Sequence, residues 1–169
     1  VAGKVCFRLD NDDQCTVFET TRHSSYVCQN YEGFQKFEPF YEVQRLRTFL
    51  GLHLRKFESW DKYYLTSKVL VDLLPKLQCL RVLSLSRYSI NELPDSIGSL
   101  KHLRYLDVSY TAIEMLPESV GNLYNLQVLS LRGCEFLCRL PSTIGNVGNL
   151  QHLDISDTKQ LQEMPSGIR

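Results

Sequence analysis

The chain has 169 residues, 19 Lys+Arg against 19 Asp+Glu, with 43% hydrophobic and 22% charged residues, the profile of a globular domain large enough to bury a core without staples. That composition excludes disorder and collagen-like repetition. No run of 18 apolar residues offers a membrane span, and zero formal net charge gives no general attraction to nucleic acid or to an acidic membrane.

The sequence opens at Val1 without a charged-then-apolar leader and contains no Asn-x-Ser/Thr acceptor, so the expected compartment is the cytoplasm. The six cysteines are spread along the chain and need no disulfide framework. Because the chain begins with Val and stops inside a repeating pattern, it is expected to be a piece of a longer polypeptide.

From the amino terminus, Val5 to Leu9 and Thr16 to Glu19 alternate like strands across the acidic segment Asp10 to Gln14. That segment lacks the Gly and distal Glu of a calcium loop and reads as a solvated turn. His23 to Val27 predicts another strand. Cys15, His23 and Cys28 are not spaced like zinc-finger pairs. The aromatic run Tyr31 to Tyr41 reads as a connecting segment. Leu46 to Leu52 has the spacing of a degenerate repeat strand, Trp60 is expected to pack in the core, and Thr66 to Leu74 predicts a helix with Val69, Leu70, Leu73 and Leu74 on one face. Residues 1–42 are thus expected to be a junction, and 43–76 an irregular first repeat that caps the amino-terminal edge of a repeat array.

From residue 77 the chain repeats itself. Four units, 77–99, 100–122, 123–146 and 147–169, each 23 or 24 residues long, carry Pro94, Pro117, Pro141 and Pro165 in register. Inside a unit the leucines fall at Leu77, Leu80, Leu83 and Leu85, followed by Ile90 and Leu93 before the proline. The alternation Leu83-Ser84-Leu85 is that of a short strand with one buried face, and the proline ends it ahead of a tight helical return. One unit cannot bury its own leucines, so units must stack with strands in parallel. The expected fold is an α/β leucine-rich-repeat solenoid with a concave parallel sheet and an irregular amino-terminal cap.

Tyr88, Thr111, Cys134 and Thr158 form a column whose usual Asn, Thr or Cys bonds backbone groups left unpaired at the bend. Tyr88 departs from it. Cys134 and Cys138 together offer two metal ligands where a zinc site needs about four. The outward columns are Val82, Tyr105, Val128, His152; Ser84, Asp107, Ser130, Asp154; Ser86, Ser109, Arg132, Ser156; and Arg87, Tyr110, Gly133, Asp157. Tyr, Arg, His and Asp are the residue types that concentrate energy in protein interfaces. The candidate partner-binding residues are therefore Arg87, Tyr105, Asp107, Tyr110, Arg132, His152, Asp154 and Asp157, with Arg81 and Arg104 at the edge.

No catalytic constellation accompanies them. His23, His53, His102 and His152 are scattered, and G-x-S-x-G, H-E-x-x-H and G-x-x-x-x-G-K-[ST] are all missing. Asp107 and Asp154 share a column, as two glycosidase carboxylates would, but on an open face.

The ordered motifs R-H-S-S-Y-V (22–27), V-Q-R-L-R-T-F-L (43–50), L-P-K-L-Q-C-L-R-V-L-S-L (74–85) and the repeated L-P-x-S-I/V-G resemble the junction and first repeats of plant intracellular nucleotide-binding leucine-rich-repeat disease-resistance proteins, most similar to the coiled-coil class. The resemblance implies a sensor segment that recognises a pathogen effector or a modified host protein and restrains the nucleotide-binding module. Val1 to Leu9 would then be the tail of a winged-helix part. It further implies that ATP or ADP belongs to the nucleotide-binding module outside this chain, with no cofactor, nucleic acid or transmembrane segment here. The alternative is a stand-alone intracellular scaffold, similar to the leucine-rich-repeat adaptors of small-GTPase signalling. The open carboxyl end at Ile168 and Arg169 is expected to fray.

Overall fold

The computed structural model describes residues 5–9, 19–29, 31–53 and 63–165. The segment Asp10 to Gln14, Cys15, Trp60 and the terminal Ile168 and Arg169 lie outside the described residues.

Among the described residues, seven parallel strands form one sheet in sequence order: β1 (Cys6–Leu9), β2 (His23–Val27), β4 (Thr48–Leu52), β6 (Val82–Ser84), β7 (Tyr105–Asp107), β8 (Val128–Ser130) and β9 (His152–Asp154). A second, two-stranded sheet pairs β3 (Tyr31–Glu32) with β5 (Tyr64–Leu65). In the regular units the strands last three residues, because Leu-x-Leu alternation holds for only that stretch before the chain bends. Pro94, Pro117 and Pro141, all extended with φ between −69° and −64°, each lead into a 3-10 turn: Asp95–Ser99, Glu118–Asn122 and Ser142–Asn146. Proline's fixed φ and missing N–H suit a position where a strand stops and a return begins. The next unit's leading residue, Leu100, Leu123 or Val147, closes the turn by donating its N–H to the carbonyl of Ile97, Val120 or Ile144.

Between sheet and returns runs one continuous apolar core. Leu83, Leu106 and Leu129 are fully buried, in register, with Leu80, Leu103 and Leu126 buried beside them. Each such leucine removed from water contributes about 2 kcal/mol. Leu150, Leu153, Ile155 and Leu161 in the final unit are only partly covered, since a unit buries its face only against the next.

The sheet does not begin at residue 43. β1 and β2 continue it with the same parallel register, pairing Cys6 with His23 and His23 with Thr48. The segment expected to be a junction therefore supplies two strands of this sheet, Cys6–Leu9 and His23–Val27. Repeated leucine spacing does not mark them, because their core-facing positions hold Phe7 and Leu9 in one strand and Ser24 and Tyr26 in the other.

Tyr31 to Tyr41 is likewise more than a connection. Phe34–Glu42 forms a 3-10 return that buries Phe37 and Phe40. Tyr26 meets the Phe37 ring edge-on at 5.0 Å between centroids, and Phe49 meets Phe40 at 5.5 Å. Large rings fill here the volume that stacked leucines fill later. The helix expected over 66–74 is present as a wide π-helical turn, Val69–Leu73, running into a 3-10 turn, Leu74–Lys76, and it buries Val69, Leu70, Leu73 and Leu74 as its spacing predicts.

Candidate recognition face

Two of the four outward columns read from the repeats lie on the strands of the sheet, and the other two lie just past them. Val82, Tyr105, Val128 and His152 stand in register, as do Ser84, Asp107, Ser130 and Asp154. Both columns continue across the earlier strands, the first through Thr48, His23 and Cys6 and the second through Leu50, Ser25 and Arg8. Leucine spacing marks the strand of Thr48 and Leu50 but not those of His23, Ser25, Cys6 and Arg8.

Hydrogen bonds hold the centre of the face rigid. Asp107 accepts from the Ser84 hydroxyl at 2.9 Å and from the Ser109 N–H at 3.0 Å and hydroxyl at 2.5 Å. Since that hydroxyl's proton goes to the carboxylate, Ser130 is the donor in the 2.7 Å contact between Ser109 and Ser130. One unit pair further, the Ser156 N–H donates to Asp154 at 3.0 Å, and bonding by Ser156 lowers the Asp154 carboxyl below its ordinary range. Burial first, and then the Asp107 charge, raise the Tyr105 hydroxyl above its ordinary range, so it stands on the face as a neutral donor.

The fourth column is not a strand column. Arg87, Tyr110 and Asp157 have φ of 64°, 57° and 62°, and Gly133 has 66°. They form a left-handed bend just past the strands, which L-residues enter at about 1–2 kcal/mol each. The ladder continues through this bend, with the N–H of Arg87, Tyr110 and Gly133 donating to the carbonyls of Ser109, Arg132 and Ser156 at 2.7–2.8 Å. Side chains raised on it form a line: the Arg87 guanidinium lies 4.5 Å from the Tyr110 ring centroid, the Tyr110 ring covers the space above Gly133, and Arg132 pairs with Asp157 at 3.4 Å. Tyr110 is 42% exposed despite these contacts.

Of the ten residues singled out in the sequence, Arg87 with Tyr110 and Arg132 with Asp157 are in contact, and Tyr105 acts with Asp107. Asp154 is held by its own turn. His152 is exposed on the last strand, and Arg81 and Arg104 are exposed one residue before theirs. Cys134 faces inward and donates to the Val108 carbonyl at 3.1 Å, while Cys138 is exposed and donates to the Phe136 carbonyl. The two do not converge. A shallow depression of about 320 Å³ at the amino-terminal end of the sheet is lined by Cys6, Arg8, His23, Thr48 and Leu50, among others, and His23 Nδ1 is 2.9 Å from the Thr48 hydroxyl.

Residues 59–169 match the family model of a leucine-rich repeat region. Over 97 residues the chain is 43% identical to an Arabidopsis thaliana protein named for disease resistance, an alignment covering 57% of this chain and 7% of that protein. A second, RPP13-like protein of that plant, also named for disease resistance, is 42% identical over 93 residues, 55% of this chain and 9% of the relative. The chain therefore spans less than a tenth of the length of either. Among solved structures, a Leptospira interrogans leucine-rich-repeat protein superimposes with TM-score 0.65 at 24% identity over 82% of this chain and 32% of that one. The leucine-rich-repeat domain of the type III effector XopL gives 0.59 at 19% over 98% and 73%. The Arabidopsis receptor kinase HAESA, solved with a peptide hormone and a co-receptor, gives 0.60 at 19% over 82% and 22%. At these identities the structural likenesses show the fold.

Proposed function

Because the chain belongs to the leucine-rich-repeat family, we propose that it is a protein-recognition segment of a plant immune receptor of the nucleotide-binding, coiled-coil class, acting in the cytoplasm. The observation that carries this reading is the line Arg87, Tyr110, Arg132 and Asp157 raised on the rim of a sheet whose centre is locked by Asp107 and its serines. Aromatic and arginine anchors on a pre-ordered platform lose little conformational freedom on binding, which is what makes a few residues energetically dominant. The 43% and 42% identities to proteins named for disease resistance support the setting. No helix among the described residues is long and apolar enough to cross a membrane.

In this reading a pathogen effector or modified host protein docks on the face. The same segment restrains a nucleotide-binding module elsewhere in the receptor until then. The bound protein can shift the switch only by the amount it prefers the released state. ATP or ADP belongs to that module, and this chain supplies the recognition.

The test is a comparison of the wild-type chain with Tyr110→Ala and Arg132→Ala in co-purification from plant tissue, with thermal melting measured alongside. A partner retained by wild type and lost by both variants at unchanged melting temperature supports the reading. Equal retention by all three sinks it. Sequencing the transcript upstream of the Val1 codon tests the switch separately: an in-frame G-x-x-x-x-G-K-[ST] supports it, and a start codon immediately upstream leaves a scaffold.

A further inference from the structure

One column of the solenoid carries a feature the repeats conceal. Directly before the strands, the backbone repeats one pattern in which the carbonyls of Arg22, Arg47, Arg81 and Arg104 each accept two N–H groups from the following unit. These four positions are therefore rungs of a single ladder, continued by Gln127 and Gln151. Arg22, Arg81 and Arg104 are exposed and Arg47 is half-exposed. Among the described residues none of the four guanidinium groups is engaged by a carboxylate.

Four like charges in register on neighbouring strands oppose folding of the sheet. Nothing in the core requires them, since the buried leucines flank the column rather than occupy it. What relieves the repulsion is an anion lying along the row, and the guanidinium fork is the group that binds carboxylates in pairs of parallel hydrogen bonds.

We propose that this arginine ladder is a docking strip for an extended acidic peptide segment with carboxylates at alternate positions, Glu/Asp-x-Glu/Asp-x-Glu/Asp. Neighbouring strands are ~4.8 Å apart, so four rungs span ~14 Å. An extended chain rises ~3.4 Å per residue and sends every second side chain to the same side, so its first and fifth residues stand ~14 Å apart. Three same-side carboxylates thus reach from Arg22 to Arg104. The two glutamines offer amide groups where such a peptide would continue. Single-stranded nucleic acid fits less well, because it needs successive ring platforms beside the cations, and the adjoining column carries rings only at its outer rungs, His23 and Tyr105, with Thr48 and Val82 between them. The inference deepens the recognition reading by naming the partner's chemistry on a strip separate from Tyr110.

The experiment is fluorescence anisotropy on the full chain with a labelled peptide of alternating Glu and Thr. The comparisons are a peptide of the same composition with its glutamates contiguous and a single-stranded RNA of similar length. The alternating peptide is expected to bind at low salt, more weakly as salt rises, and more than tenfold more weakly to Arg81→Glu/Arg104→Glu. Replacing all four arginines by lysine keeps the charge but loses the fork, and is expected to give an intermediate loss. Equal binding of the two peptides, tighter binding of the RNA, or indifference to charge reversal overturns the proposal. Melting checks the fold, and if charge reversal unfolds the chain, Arg81→Gln/Arg104→Gln carries the same reading. Lys159→Ala, which removes an exposed cation away from the strip, should leave peptide binding unchanged. Loss in Tyr110→Ala with retention in the ladder variant overturns the ladder while leaving recognition by the concave face standing.

Discussion

The Tyr88 hydroxyl donates a hydrogen bond to the Cys28 sulfur at 3.3 Å, joining positions 60 residues apart. In later units the same column holds short side chains that satisfy local carbonyls: Thr111 bonds Val108 at 2.8 Å and Thr158 bonds Ile155 at 2.7 Å. Tyr88 instead spans the wider aromatic end of the core, where Tyr26, Phe37 and Phe49 pack. Its departure from the repeat is how the leucine core is joined to the aromatic one.

Burial first, and then neighbouring Tyr26 and Cys28, raise the Tyr88 hydroxyl far above its ordinary range. The folded chain therefore keeps this proton at alkaline pH where the unfolded chain loses it. Stability from this group is fully present below about pH 10 and falls by about 1.4 kcal/mol per unit above it. Tyr88→Phe should cost about 1 kcal/mol at neutral pH and flatten the alkaline decline, measured by denaturant unfolding between about pH 8 and 11, a range that brackets the ordinary tyrosine value. An unchanged alkaline slope would count against the buried hydroxyl.

The cysteines should separate by burial. Cys28 and Cys134 are buried, and burial raises the Cys134 thiol, whereas Cys6, Cys79 and Cys138 are exposed. Among the described cysteines, iodoacetamide under native conditions should label the three exposed thiols and spare the two buried ones until denaturant is added, as read by mass spectrometry. Early alkylation of Cys134 would show that the ladder column is open to solvent.

Two glycines answer to different constraints. A Cβ at Gly121 would lie 2.7 Å from the Thr143 carbonyl oxygen, a backbone atom that cannot move without shifting the next return. Gly121→Ala should destabilise by about 2–4 kcal/mol, the range of overpacked sites and broken backbone contacts. At Gly133, with φ 66°, the nearest atoms belong to the Tyr110 side chain, which can turn aside where a backbone carbonyl cannot, so Gly133→Ala should cost about 1–2 kcal/mol, mostly backbone conformation. A reversed order in calorimetric melting would refute the close packing of the returns.

Glu118 caps the return of the next unit, accepting the Ser142 and Thr143 N–H groups at 3.1 and 3.0 Å and the Ser142 hydroxyl at 3.0 Å. Those N–H bonds lower its carboxyl below the ordinary range. A depressed folded value means that the stabilisation is present above the unfolded value and lost as pH falls through the folded one. Glu118→Gln should thus lower stability near neutrality and reduce the difference between neutral and acidic pH. An NMR titration placing the wild-type carboxyl at its ordinary value would contradict the cap.

Much of this architecture was legible in residue spacing. The 23- and 24-residue steps of Pro94, Pro117, Pro141 and Pro165, with Leu-x-Leu ahead of each, determine strand, turn and return, because apolar alternation and proline's fixed φ act within a few residues of chain. Stacking is then required by leucines that no single unit can cover. The two strand columns that start at Val82 and Ser84 were therefore readable. Three things were not. β1 and β2 read as strands in the sequence, but their place in the repeat sheet rests on pairings that cross many residues, with Phe7 and Ser24 where the repeat would carry leucine. The left-handed bend that turns Arg87 and Tyr110 into a stack depends on hydrogen bonds to the neighbouring unit. Arg22, Arg47, Arg81 and Arg104 are separated by 25, 34 and 23 positions, an uneven series that no period reveals. Local sequence sets what each coil is. Which side chains become neighbours across coils is decided by strand register, and register belongs to the folded sheet.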